Sequence, residues 1–201
     1  MRIIVVGGNG TIGKAVVDVL KAENHEVITA GRTSGDLSVD MTSPESIEAM
    51  FQKLGAVDAI VSTAGAAKKV NVEKMTPKDL HLAVESKLLG QINLALIGQN
   101  YLRRGGSITL TTGIMKDDPI ANGASSAMAN GGVAAFVKAA AVDFTRGIRI
   151  NCVSPNVLEE SYDRLKDSFK GFVPVPASRV AAAFLKSVAG CQTGQEYQVY
   201  H

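Results

Sequence analysis

Cysteine and histidine are scarce in this 201-residue chain, which holds two of the first and three of the second. Cys152 and Cys191 have neither metal-ligand nor redox spacing, and Cys152 falls in an apolar strand-like run, so both read as reduced, buried thiols. His25 stands in a turn, His81 among polar neighbours on a helix and His201 at the end, so no metal site is implied. No run of one charge sign exists either. Net charge is +2 with acids and bases interspersed, and the doublets Lys68-Lys69 and Arg103-Arg104 stand alone, which argues against nucleic acid or a membrane surface as partner. Long apolar runs are missing too: Lys138 breaks the alanine-rich stretch from Val133 to Val142, so no membrane span is expected. With a strand starting at residue 2 there is no room for a signal peptide, and a cytoplasmic protein is expected. No linker or low-complexity segment divides the chain, and its length suits one domain over residues 1–201.

What is present is a glycine-rich turn at the very start. The apolar run Arg2 to Val6 leads into Gly7-Gly8-Asn9-Gly10-Thr11-Ile12-Gly13 and then a helical stretch from Lys14 to Leu20. A buried parallel strand turning into a helix through glycines presents bare backbone N–H groups and the positive end of a helix dipole at one spot, which suits a pyrophosphate. Gly7, Asn9, Gly10, Thr11, Ile12 and Gly13 are therefore candidate cofactor contacts. A tight turn needs one or two glycines and not four.

Further along, strand and helix patterns alternate. Strands are predicted at Arg2 to Val6, Glu26 to Ala30, Leu37 to Val39, Val57 to Thr63, Ser107 to Thr112, Ile148 to Val153 and Glu196 to Tyr200. Helices are predicted over Ile12 to Ala22, Pro44 to Leu54, Pro77 to Tyr101, about Ser125 to Phe144, and Ser178 to Val188, with Ser43 and Thr76 as N-caps. The pattern predicts an α/β fold: a single doubly wound, Rossmann-type domain with a seven-stranded parallel sheet, helices on both faces and ligands at the carboxyl ends of the strands. The second strand ends in Gly31-Arg32-Thr33-Ser34, with no acid to hold a ribose 2′-hydroxyl. A guanidinium and two hydroxyls suit a 2′-phosphate, so NADP is expected over NAD.

By these residues the chain resembles the short-chain dehydrogenase/reductase family over nearly its whole length. The glycine turn is similar to that family's T-G-x-x-x-G-x-G, with Val6 for the Thr and Thr11 for the middle Gly. Asp40, followed by Met41, resembles the aspartate after the third strand that bonds the adenine amino group. Ser62-Thr63-Ala64-Gly65 takes the place of N-N-A-G. Arg149 to Asn156 resembles R-V-N-x-V-x-P-G beside the nicotinamide, and Thr193-Gly194-Gln195 with Val199 resembles T-G-Q-x-x-x-V. The resemblance implies cofactor contacts at Ser62, Ala64, Gly65, Pro155 and Leu158, a small-molecule substrate, and a homodimer or homotetramer formed through the two long helices.

The catalytic half of the pattern departs from the family. Its proton relay uses an Asn, a Ser and a Y-x-x-x-K pair, and the matching positions here are Lys87, Gly113, Ser126 and Asn130. A serine beside a neutral amide is a far weaker acid than a phenol beside an ammonium, and loss of a general acid costs roughly 10²–10⁴ in rate. Candidate substitutes are Lys87, able to polarise a carbonyl or hold an acidic substrate, or else to pair with Glu85 or Glu73; Thr112 at the end of the fifth strand; Ser126 and Asn130 as ribose contacts; and Tyr162, with Lys166 four residues later. The stretch from Glu159 to Gly171 is short for a large substrate lid, favouring a small substrate or none. Two functions stay open: an NADP(H)-dependent oxidoreductase with a non-standard proton donor, and an NADP(H)-binding sensor or partner subunit with little turnover.

Overall fold

Alternate residues of the first strand, β1 (Arg2–Val6), enter different cores: Ile4 and Val6 pack on one face of the sheet, Ile3 and Val5 on the other. Such a strand is covered on both sides, which is why it reads as an unbroken apolar run. The computed structural model describes residues 1–201. It contains one seven-stranded sheet in the order β3-β2-β1-β4-β5-β6-β7, with every pairing parallel. The other strands are β2 (Glu26–Gly31), β3 (Leu37–Ser38), β4 (Val57–Ser62), β5 (Leu102–Thr111), β6 (Arg149–Pro155) and β7 (Glu196–Val199).

One face is covered by α1 (Thr11–Ala22) and α7 (Ala177–Ala189), which pack on each other and on Ile3, Val5, Val61 and Val153. The opposite face carries α2 (Pro44–Leu54), α4 (Gly90–Gly98) and α5 (Ala124–Asp143), closing over Ile60, Ile108, Leu110 and Ile150. α2 has the predicted bounds because its signals are local: the Ser43 hydroxyl accepts from Ser46 N, Pro44 opens the helix, and Gly55 ends it at φ +75. No helix is long and apolar enough to cross a membrane.

The structure differs from the sequence-based expectations in several places: β5 begins at Leu102 and not at Ser107, and Cys191 is exposed and not buried. The helix expected from Pro77 to Tyr101 is α3 (Pro77–Leu82), a π-helical turn over Ala83–Leu89, then α4 and a 3₁₀ turn, Gln99–Tyr101. The segment after β6, where no helix is predicted, holds a short one, α6 (Glu159–Leu165). Its seven residues are too few to form a helix alone, and packing decides it: Tyr162 and Leu165 lie on the Ile114, Val157 and Phe169 cluster, and the Glu160 carboxylate accepts from Ala177 N at 2.9 Å.

Candidate functional site

The glycine turn between β1 and α1 is built by close backbone approach. Gly7, at φ +86, donates its N–H to Ala30 O at 2.8 Å. A Cβ on Gly13 would lie 2.0 Å from Gly7 O, and one on Gly7 would lie 2.8 to 3.0 Å from Thr63 Oγ1 and Ala64 N and Cβ. Only glycine lets these segments meet. No side chain caps the N-terminus of α1 and its first turn holds no acid, so the N–H groups there are free for an anion.

From this turn a cleft of about 550 Å³ runs over the ends of β1, β2 and β4. Gly7, Asn9, Gly10, Arg32, Ser34, Asp40, Met41, Ala64 and Gly65 line it, and the sequence reading missed Thr42, Ala66, Leu82 and Ser86. Thr33 is exposed outside the cleft, so of the two expected hydroxyls only that of Ser34 faces it. Thr11 is exposed, and Gly13 is buried against Gly7. One acid follows β2 after all, Asp36, yet its carboxylate turns back to accept from Thr29 N and Oγ1, both at 2.8 Å, and does not line the cleft. Asp40 Oδ1 accepts from Thr42 N at 3.0 Å and Oγ1 at 2.8 Å; these bonds, with the charge of Arg32, hold its carboxyl below the usual range. The residues fit a dinucleotide cofactor.

Ala64 and Gly65 also border a second cavity of about 280 Å³, so the two spaces form one groove. Ile12, Lys87, Asn130, Pro155 and Leu158 line this inner end, where Ile114, Met115, Val157, Leu165 and Phe169 add apolar walls. Lys87 sits in the π-helical turn. Its carbonyl accepts from Gln91 Nε2 at 2.9 Å, and the same buried amide donates to Thr111 O and accepts from Thr111 N, each at 2.8 Å. That bridge fixes the turn to the end of β5. The Lys87 ammonium has no carboxylate and no hydrogen-bond partner, and burial alone pushes its pKa down to about 8. Asn130 is fully buried; its Nδ2 donates to Gly113 O at 3.2 Å while Oδ1 has no partner.

The comparisons agree with this architecture. A family model described as enoyl-(acyl carrier protein) reductase matches residues 10–197. The chain belongs to the short-chain dehydrogenase/reductase family. It is similar to the acetoacetyl-CoA reductase of Synechocystis sp., 30% identical over 172 residues, covering 78% of this chain and 71% of that one. Among solved structures, the protein lin1944 from Listeria innocua is 56% identical, superposes with a TM-score of 0.98 and is covered over 100% of both chains. A small-chain dehydrogenase solved in complex with NADPH is 28% identical with a TM-score of 0.89, over 99% of this chain and 96% of that one.

In this short-chain oxidoreductase Lys87 and Asn130, which the resemblance sets at the family's Asn and Lys positions, both line the inner cavity. Other expected substitutes do not reach it. Thr112 borders the cavity, but its hydroxyl is 3.0 Å from Glu196 Oε1 and 3.3 Å from Val153 O, and it is turned toward β6 and β7. Ser126 is buried outside the lining, because α5 spends that face on packing. Tyr162 packs on the Ile114, Val157 and Phe169 cluster and Lys166 is exposed, so they form no catalytic pair in the cavity. Ser62 is fully buried beneath the cleft with an unpartnered hydroxyl and does not line it. Ile114, Met115 and Phe169 were missed, although their apolar runs after β5 and β6 mark where such walls form.

Proposed function

We propose that this protein is an NADP(H)-dependent oxidoreductase that acts on a small carbonyl or alcohol substrate, with Lys87 as the proton donor in place of the family's tyrosine. The observation that carries the reading is the unpartnered Lys87 ammonium in the inner cavity. The glycine turn and the free N-terminus of α1 would hold the pyrophosphate, Arg32 and Ser34 the 2′-phosphate, and Asp40 the adenine. When bound, the reduced nicotinamide supplies a hydride. The carbonyl oxygen then needs one proton, and an acid of pKa about 8 is charged at neutral pH yet gives up its proton far more readily than an ordinary lysine. Lys87 also favours charge developing on that oxygen, since nothing in the cavity neutralises it. The chain's likeness to a protein solved with NADPH supports the cofactor choice.

The test is NADPH oxidation with small aldehydes and ketones as substrates. Lys87→Ala is expected to lower turnover about 10²-fold or more with NADPH affinity kept, whereas Thr112→Val and Tyr162→Phe change it little. Equal loss in all three variants, or none in Lys87→Ala, would show the donor to be misplaced. The alternative, a binding protein with little turnover, draws on the absent phenol at Ser126; undetectable reduction together with tight NADPH binding would favour it. We also propose that copies associate through the α3–α4 and α5 faces, where Leu82, Leu89, Leu96 and Met128 are exposed. Light scattering that showed a monomer at micromolar concentration would end that idea.

A further inference from the structure

Lys87 carries the single formal charge among the residues that line the inner cavity. No carboxylate faces it there, and Glu85, close in sequence, is exposed. An ammonium offers three donors and no acceptor, and the protein takes none of those of Lys87. Lys87 is half-buried, and a charge partly withdrawn from water with no partner in the protein makes a bound counterion the favourable way to complete the site. A second cation stands at the rim: Lys69 Nζ lies 5.5 Å over the ring of Phe169, which lines the cavity. Lys68, next to it, is paired with Asp79.

A lone carbonyl oxygen would leave the Lys87 charge uncompensated. Resting on the NADP(H) reading above, we propose that the substrate is a small 2-oxo acid whose carboxylate and adjacent carbonyl oxygen both bind Lys87. In such a molecule the two oxygens sit on neighbouring carbons, so one ammonium reaches both while remaining on the oxygen that it protonates. The thioester substrate in the printed name of the Synechocystis relative carries no carboxylate beside its carbonyl. At about 280 Å³, shared with the nicotinamide, the cavity suits a side chain of few carbons. The step balances as a two-electron reduction: the carbonyl carbon gains a hydride and its oxygen the Lys87 proton, giving a 2-hydroxy acid. The nicotinamide is oxidised, and the Lys87 amine regains its proton from water. Asn130 Oδ1, buried and unpartnered, is an acceptor left for a hydroxyl.

The experiment uses oxamate, a 2-oxo acid analogue that hydride does not reduce, and oxamide, its neutral counterpart. Each is titrated into the protein–NADPH complex and read by the change in NADPH fluorescence. Oxamate is expected to bind at least about tenfold more tightly than oxamide, the margin of one charge-assisted hydrogen bond. Lys87→Arg should keep that preference and Lys87→Met should lose it, while both still bind NADPH. Equal affinities for oxamate and oxamide in the wild type would overturn the substrate class and leave the cofactor reading intact, as would binding of NADPH with neither analogue. Failure of NADPH itself to bind would overturn both.

Discussion

Replacing Lys87 by methionine should make the protein more stable at neutral pH while removing its activity. Burial lowers the pKa of Lys87 from 10.5 to about 8, so the folded state holds the charge less well than the unfolded chain does. The side chain is only half-buried, so water offsets part of that difference, and the penalty whenever the group is charged in both states is at most about 3 kcal/mol. Methionine keeps an unbranched stem of similar reach and similar helix propensity, so packing in the π-helical turn is largely retained. For a chain of this size the gain amounts to roughly 6–10 °C in unfolding midpoint as an upper bound. The pH dependence follows from the sign. Below about 8 both states of the wild type carry the proton and the penalty is complete; between about 8 and 10.5 the folded state has released it while the unfolded state still binds it, so wild-type stability rises with pH. The advantage of Lys87→Met should thus be full at neutral pH and fade by 10.5. Calorimetry of both proteins without cofactor across this range reads it directly. A variant that unfolds at or below the wild-type temperature at neutral pH, with a difference indifferent to pH, would refute the claim that Lys87 is a half-buried charge without a partner.

Other substitutions address the rest of the groove. Arg32→Asp should weaken NADPH by about tenfold or more and leave NADH unchanged or tighter, by fluorescence titration; equal affinity of the wild type for both would contradict the 2′-phosphate assignment. Gly13→Val should abolish binding of either cofactor, since even its Cβ would lie 2.0 Å from Gly7 O; intact binding by calorimetry would show that the turn is not the pyrophosphate site. Exchanging the two cavity residues, Lys87→Asn with Asn130→Lys, should return an ammonium to the cavity and raise carbonyl reduction above that of Lys87→Asn alone. No gain over that single variant would mean that more than the donor has diverged.

The fold was legible because its signals are local: an unbroken apolar run for a strand buried on both faces, and Ser43-Pro44 with Gly55 to bound α2. The phosphate end of the site was legible for the same reason, since four glycines between a strand and a helix constrain the backbone itself. What was not legible depends on direction. Asp36 is an acid in the right loop whose carboxylate points back to Thr29, and Thr112 is a hydroxyl in the right place whose partner is Glu196 on β7, 84 residues away. Tyr162 could be placed near the substrate by sequence order, but whether it faces the cavity or the Phe169 cluster is a matter of packing. The π-helical turn was invisible too, because it rests on a buried Gln91 side chain reaching from α4 to β5. Position by position the sequence showed Lys87 for an amide and Asn130 for an ammonium. Only the fold shows that the two line one cavity, and so preserve a cation there.

The most direct test of Lys87 as proton donor is the pH dependence of a single turnover, in which bound NADPH is oxidised by a 2-oxo acid such as pyruvate. In the wild type the rate should hold steady on the acidic side and fall on the alkaline side as Lys87 loses its proton, at a pH above the value of about 8 for the unliganded group because the bound carboxylate favours the ammonium. The same limb should persist in Thr112→Val and Tyr162→Phe, and it should vanish in Lys87→Met, leaving a slow and flat profile. A falling limb that survives unchanged in Lys87→Met would contradict the account, because the proton would then come from another group.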